Sequence, residues 1–259
     1  MNKDTIPIQE EFISIQGEGL NLGAPYYFIR TGGCPLRCNF CDQESSWYVK
    51  QEWMKNIDDV CNEAIAKCAM HCIQWVTITG GEPLIYPKQV VAISQKLRRI
   101  GLKVHIETSG HYYHDDVHIN SDLYSADAKT PCTGEVHKDG VVGLDRLRDC
   151  DQVKCLIATD DDMHYAHDIN LRLNGRCTMV LQPFNLEILT DSTKNMTEQM
   201  ASIRPRSKVT TSALRNRLMV SYINLLQLYM DRTQKGEYWQ RTIITPQVHV
   251  LAFGNVPGT

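Results

Sequence analysis

The stretch YYFIRTGGCPLRCNFCDQ, residues 26–43, sets the reading of the whole chain. Its first five residues are bulky, apolar or aromatic, with no breaker among them, which predicts a strand over Tyr26–Arg30. Gly32 and Gly33 end that strand, and a loop follows carrying Cys34, Cys38 and Cys41 at C-x3-C-x2-C spacing. Three thiols this close, following a strand directly, point to metal chemistry at a strand's C-terminal end. Their odd number fits neither a disulfide set nor a self-sufficient four-ligand zinc site.

Outward from this loop, short apolar runs alternate with amphipathic stretches. Strands are expected at Gln74–Thr79, Lys103–Glu107, Leu123–Ala126, Gln152–Ile157 and Thr178–Leu181. Helices are expected at Asn56–Met70, at 87–100 with Val90, Ile93, Leu97 and Ile100 on one face, and at Asp161–Asn174 with Met163, Ala166, Ile169 and Leu173 on one face. Strands alternating with helices imply parallel β/α units with right-handed crossovers. About six such strands predict an α/β fold, a partial TIM-type barrel with its chemistry at the strand C-termini. Residues 185–245 break the rhythm, with a long helix expected across Ser212–Arg232. They are read as a mostly helical elaboration of one domain spanning 1–259.

The bulk composition narrows the function classes. Apolar residues make up 42% and charged residues 22%, the make-up of an ordinary globular chain. A net charge of −3, from 27 basic and 30 acidic residues, offers no general nucleic-acid surface. The longest apolar runs, such as Val248–Phe253, are too short to span a bilayer, and MNKDTIPIQEEF has no secretion-signal core. A cytoplasmic location is expected. With ten cysteines in such a chain, metal or reactive roles are favoured over disulfides. Cys61, Cys68 and Cys72 fall at helical spacing and read as small buried residues.

Thiolates are soft ligands suited to zinc or iron–sulfur clusters. A 4Fe–4S cube normally takes four cysteines, so three local ligands leave one iron open for another molecule. A zinc site completed by a distant Cys or His, or three unrelated thiols, is the alternative on spacing alone.

The C-x3-C-x2-C loop after the first predicted strand, with Phe40 before the last cysteine, resembles the signature of radical S-adenosylmethionine (SAM) enzymes. Thr79-Gly80-Gly81-Glu82-Pro83, after the second, resembles their GGE motif, in which paired glycines let the backbone meet the cofactor. The resemblance implies a 4Fe–4S cluster on Cys34, Cys38 and Cys41, with SAM chelated at the open iron and cleaved on reduction to a 5′-deoxyadenosyl radical.

The stretch FISIQGEGLNLGAPYYFIRTGGCPLRCNFCD (12–42) is similar to the start of the 7-carboxy-7-deazaguanine synthase family. Shorter family-like pieces follow at Glu107–Gly110, Asp127–Lys129, Asp151–Lys154, Leu181–Pro183 and Gln247-x-His249. That family turns 6-carboxy-5,6,7,8-tetrahydropterin into 7-carboxy-7-deazaguanine with loss of ammonia, on the route to queuosine and related 7-deazapurines. The implied substrate residues are Ile15, Gln16, Gly17, Glu18, Arg30, Thr79, His249 and Thr259. The implied SAM residues are Phe40, Cys41, Asp42, Gly81, Glu82, Asp127, Ala128, Lys129, Gln182, Pro183, Phe184 and Asn185. The residue types are compatible with that substrate, since Arg30 suits a carboxylate and an amide or carboxylate such as Gln16 or Glu18 suits a pterin edge. Without the cysteines, Gln16–Gly19 reads as a turn and Arg30 as a strand-end charge.

The family carries a threonine after its Cys-Asp that ligates Mg2+; here that position is Gln43, a hard oxygen donor of longer reach. The resemblance also implies a flavodoxin or ferredoxin as electron donor and a homodimer. No general base stands out: Glu82, Glu107, His111, His114 and His118 are candidates, with the histidines read as a solvated loop. Two rivals stand beside this reading, an activase of a glycyl-radical protein and a non-catalytic zinc or redox module.

Overall fold

The computed structural model describes residues 4–39, 41–184 and 211–248, without the side chains of 211–215 and 217. Its frame is a nine-stranded sheet in the order β3-β1-β2-β4-β5-β6-β7-β8-β9. The strands are β1 (Thr5–Ile15), β2 (Pro25–Thr31), β3 (Met54–Asn56), β4 (Trp75–Gly80), β5 (Lys103–Thr108), β6 (Leu123–Asp127), β7 (Gln152–Ile157), β8 (Thr178–Pro183) and β9 (Thr242–Ile244). From β2 through β9 the neighbours are parallel, whereas β1 lies antiparallel to β2 and β3 antiparallel to β1.

All six expected strands are present, and the parallel run is longer than expected by β9. Helix α5 (Thr211–Gln234) occupies most of the described part of 185–245, yet β9 shows that this stretch is not wholly helical. The antiparallel β1 was not foreseen: its acidic, alternating composition resembles a polar lead-in more than a strand.

Helices α1 (Ile57–His71), α2 (Pro87–Arg99), α3 (Asp115–Ile119) and α4 (Asp160–Leu173) intervene between the parallel strands. Each of the longer ones begins where the sequence supplies a start. The Asn56 side chain accepts from Asp58 N at 2.8 Å, Pro87 opens α2, and Thr159 with Asp162 forms a reciprocal capping box. Cys61 and Cys68 are buried on α1 as expected. Cys72 is not: it is exposed and ends the helix in the left-handed region at φ 55°, where its side chain turns outward.

Successive strand residues face opposite sides of a sheet. One side carries Tyr27, Ile29, Val76, Ile78, Val104, Ile106, Tyr124, Ala126, Val153, Cys155, Met179 and Leu181, packed with the apolar faces of α1, α2 and α4. Each such Ile or Val contributes about 1.5–3 kcal/mol through burial. The other side is polar: Thr77 and Thr79 on β4, His105 and Glu107 on β5, Ser125 and Asp127 on β6, Gln152 and Lys154 on β7. Parallel strands are usually apolar on both faces, so a polar second face marks a site.

The sheet curls around that face. The β1–β2 connection touches β7: Leu20 N donates to Gln152 Oε1 at 2.8 Å, and Lys154 Nζ bonds Glu18 Oε2 at 2.8 Å. In a flat sheet β2 and β7 would lie about 19 Å apart at the usual strand spacing.

Candidate active site

Two glycine-rich turns lock the cysteine loop to the end of β4. Gly81 N donates to Thr31 O at 2.9 Å, and Glu82 N donates to Gly33 O at 2.8 Å. A Cβ on Gly81 would sit 2.2 Å from Gly33 O, so the two motifs meet backbone to backbone and position 81 admits no side chain. From its other side the loop is held by the turn after β6: Asn39 N donates to Thr133 O at 2.9 Å, and Arg37 N to Glu135 Oε1 at 2.6 Å.

Cys34, Cys38 and Cys41 are all half-buried on this loop. Burial pushes the Cys38 thiol up to about 11, with Lys129 opposing and Cys41 and Cys34 reinforcing the rise. Burial likewise raises Cys34 and Cys41. Each thiol thus lies within the electrostatic reach of its neighbours and of the Lys129 ammonium, which works against the rise. Among the described residues no three His, Cys, Asp or Glu side chains gather tightly enough to share one ion. An iron–sulfur cube asks for something else, one thiolate at each of three corners, and this donor set fits it.

Glu82 has another task than the sequence suggested. Its buried carboxylate accepts from Leu84 N (2.9 Å), Thr108 Oγ1 (2.8 Å), Ser109 N (2.8 Å) and Ser109 Oγ (2.5 Å). So saturated, it is a strut tying the end of β4 to the end of β5, not a free base.

The polar face lies beside the loop. Glu107 Oε1 accepts from Gln16 Nε2 at 3.0 Å and Glu107 Oε2 from Thr79 Oγ1 at 3.1 Å. Lys154 sits between Glu18 and Asp127, 2.8 and 3.2 Å away, and Lys129 Nζ bonds Asp127 at 3.0 Å. Burial works against the Lys154 charge, but Asp127, Glu18 and Glu107 outweigh it and hold its pKa well above the ordinary value. Burial opposes the Asp127 carboxylate in the same way, and Lys129 and Lys154 bring its pKa below normal. The result is a half-buried cluster of two lysines and three carboxylates, with Lys154 buried at its centre, at the C-terminal ends of β5, β6 and β7.

Arg30 lies on this face too, opposite Thr79 in the β2–β4 register. Its Nε bonds Glu10 at 2.6 Å, and its guanidinium stacks 5.5 Å from the Phe12 ring centre. A register irregularity between Ile8 and Glu10 turns Glu10 onto the polar face. The terminal nitrogens of Arg30 have no hydrogen-bond partner among the described residues. Gln182 at the end of β8 is 4% exposed, and its Nε2 has no partner among them either, a buried donor awaiting an acceptor.

Gly17 O accepts from Val248 N at 3.0 Å, and Gln247 Nε2 donates to Glu18 Oε1 at 2.7 Å, which brings the late segment to the same loop. Ile15 ends β1 opposite Pro25. Ala128 is buried, with its N bonded to Lys154 O at 2.8 Å, while Pro183 and Phe184 follow Gln182 out of β8. Asp42 and Gln43 continue the cysteine loop, and Gln43 N lies 3.4 Å from Cys41 Sγ. Phe40, Asn185, His249 and Thr259 lie outside the described residues.

His118 corrects another expectation. It is no solvated loop residue but 4% exposed on α3, with Nε2 2.7 Å from Asp151 Oδ2 and Nδ1 2.8 Å from Tyr113 OH. His105, Ser125 and Gln152 were missed altogether. Their signal was there, in polar residues at every second position of strands whose intervening residues are apolar or aromatic.

Residues 28–120 match the Radical SAM superfamily, which places the cysteine loop and the Gly80-Gly81-Glu82 turn in an S-adenosylmethionine-dependent radical enzyme. The chain is 36% identical over 177 residues to a 7-carboxy-7-deazaguanine synthase of Methanospirillum hungatei JF-1, covering 68% of this chain and 71% of the relative. The chain belongs to the 7-carboxy-7-deazaguanine synthase family. It is also 39% identical over 109 residues to the Flavobacterium psychrophilum 7-carboxy-7-deazaguanine synthase, a match that spans about half (49%) of that relative. Among solved structures, the crystal structure of QueE from Escherichia coli superposes with a TM-score of 0.56 at 23% identity, over 76% of this chain and 90% of that one. That likeness supports the partial-barrel fold.

Proposed function

We propose that the chain converts 6-carboxy-5,6,7,8-tetrahydropterin into 7-carboxy-7-deazaguanine with release of ammonia, feeding 7-deazapurine synthesis. The observation that carries this reading is the pairing of a three-cysteine loop with a face of interlinked acids and lysines next to it, in a chain of this family. Cys34, Cys38 and Cys41 would hold the 4Fe–4S cluster. Gly81, Asp127, Lys129, Gln182 and the segments that flank them would hold SAM. When bound, these groups supply the reducing electron and the carbon radical for hydrogen abstraction.

The chain's own residues bind, orient and exclude water. Glu18 and the Gln16 side-chain oxygen offer acceptors to the amino and amide edge of a pterin, and Arg30 offers its terminal nitrogens to the carboxylate. Glu107, fixed at both oxygens by Gln16 and Thr79, is the carboxylate best held to move a proton. Lys129 and Lys154 hold Asp127 ionised, and the β1–β2 connection covers the face against solvent.

Gln43 is the proposed Mg2+ ligand by its side-chain oxygen. We further propose one domain over 1–259, a homodimer, a flavodoxin- or ferredoxin-like electron donor and a cytosolic location. No described helix is long and apolar enough to cross a membrane. The compact charged face favours a small acidic substrate over a polypeptide glycine.

Anaerobic incubation with SAM, a strong reductant and the carboxytetrahydropterin should produce 7-carboxy-7-deazaguanine. Formation of 5′-deoxyadenosine without product would keep the enzyme class and refute the substrate.

A further inference from the structure

Beneath the Glu107 carboxylate lies a floor of directed hydrogen bonds. His105 precedes Glu107 by two residues on β5, faces the same side and is 1% exposed. Its Nε2 lies 2.6 Å from Ser125 Oγ and its Nδ1 3.4 Å from Gln16 Nε2. Gln152 Nε2 reaches the same Ser125 Oγ at 2.5 Å, and Gln152 Oε1 accepts from Leu20 N at 2.8 Å.

Two backbone N–H groups, which can only donate, set the direction of every bond in this floor. Leu20 N–H calls for the oxygen of Gln152, so the Gln152 NH2 points to Ser125. Glu18 N–H, 3.2 Å from Gln16 Oε1, calls for the oxygen of Gln16. Both hydrogens of the Gln16 amide are then committed, one to Glu107 Oε1 and one to His105 Nδ1. Nδ1 therefore accepts, and the imidazole is the neutral tautomer with its hydrogen on Nε2, donated to Ser125.

We infer that His105 is a positioning residue: by accepting at Nδ1 it fixes the rotation of the Gln16 amide and so aims Gln16 and Glu107 at the substrate. Burial pushes the ring down to about 4, so it is neutral at physiological pH and stays an acceptor. The β1–β2 connection delivers Gln16, Glu18 and Leu20 together, so this one loop reports to His105, Lys154 and Gln152 at once. The inference rests on the proposed reading that Gln16 and Glu107 face the pterin.

The test uses the reconstituted holoenzyme and three substitutions. His105→Asn keeps an acceptor near the Nδ1 position, His105→Gln keeps a polar group only near Nε2, and His105→Phe fills the space with no polar atom. The Phe and Gln variants should raise KM for the pterin by about five- to tenfold, the upper part of the scale of one lost neutral hydrogen bond, with Asn within about threefold of wild type. More 5′-deoxyadenosine should form per product in the first two. In wild type, 15N NMR of the histidine rings should find His105 protonated at Nε2 and bare at Nδ1.

A ring protonated at Nδ1, or a Gln variant with unaltered KM, overturns the inference. If His105→Phe fails to fold or to load iron, the Asn and Gln pair decides. If wild type makes deoxyadenosine but turns over no pterin, the functional reading fails first, and the NMR result alone upholds or overturns the orienting bond.

Discussion

Replacing Glu82 by glutamine tests how the two radical-enzyme motifs are held together. The carboxylate accepts from two backbone N–H groups, one per oxygen, Leu84 N on Oε1 and Ser109 N on Oε2, together with the Thr108 and Ser109 hydroxyls. Glutamine keeps one oxygen, so in either amide orientation one backbone N–H faces an NH2. Hydrogen bonds to a charged group contribute about 1.5–3 kcal/mol each, and a buried unsatisfied donor costs about 1–3 kcal/mol. The hydroxyls can rotate and recover part of the loss. The net destabilisation should be about 3–5 kcal/mol, which lowers the urea midpoint by roughly 1–2 M at the slope expected for this size. Ser109→Ala, which removes only one hydroxyl, serves as the smaller reference and should cost about 1–2 kcal/mol. The assay is anaerobic urea unfolding followed by far-UV circular dichroism. A Glu82→Gln midpoint indistinguishable from wild type would refute the strut and return Glu82 to the list of free acids.

Further outcomes follow from the same geometry. Gly81→Ala places a methyl against Gly33 O and should abolish cluster loading, read as lost iron and lost absorbance near 400 nm; normal loading would contradict the backbone-to-backbone contact. Alanine at Cys34, Cys38 or Cys41 should also lose the cluster, whereas Cys72→Ala, at an exposed helix end, should retain it. Burial opposes the Asp151 charge, but the bonds from His118 and Arg148 outweigh it and bring its pKa down to about 2. Its folded value is depressed, so its contribution is present above the ordinary value of 3.8 and is lost as pH falls from there toward about 2. Asp151→Asn should thus be destabilising at neutral pH, with the gap to wild type closing in that acid window; a constant gap would refute the linkage. Lys154→Met removes the cation between Glu18 and Asp127 and should destabilise the fold by about 3–5 kcal/mol, seen as a lower unfolding midpoint.

The parallel core was legible because its helix-facing residues repeat at regular intervals: Val76 with Ile78, Val104 with Ile106, Val153 with Cys155. Helix starts were legible for local reasons, as at Asn56, whose side chain bonds the first turn. The cysteine loop and the paired glycines could be read because each is contiguous in sequence. What stayed hidden is long-range. Nothing local says that Glu82 will meet Thr108 and Ser109, since that contact depends on which strand ends become neighbours. His118 gave no sign that Asp151 would bury it. Strand β1 hid behind its charges, because Glu10 and Glu11 find partners in Arg30, Lys55 and Tyr27 only once the sheet has formed. His105, Ser125 and Gln152 sat in plain alternation, but a strand's polar face gains meaning only when a loop from elsewhere covers it.

The most direct measurement is one anaerobic reaction in which 7-carboxy-7-deazaguanine and ammonia are quantified together, with SAM, reductant and the carboxytetrahydropterin present. The proposed reaction requires that both rise in equal amounts, that neither form without SAM, and that Cys38→Ala abolish both. Accumulation of 5′-deoxyadenosine with neither product, or a purified chain holding zinc in place of iron, would contradict it.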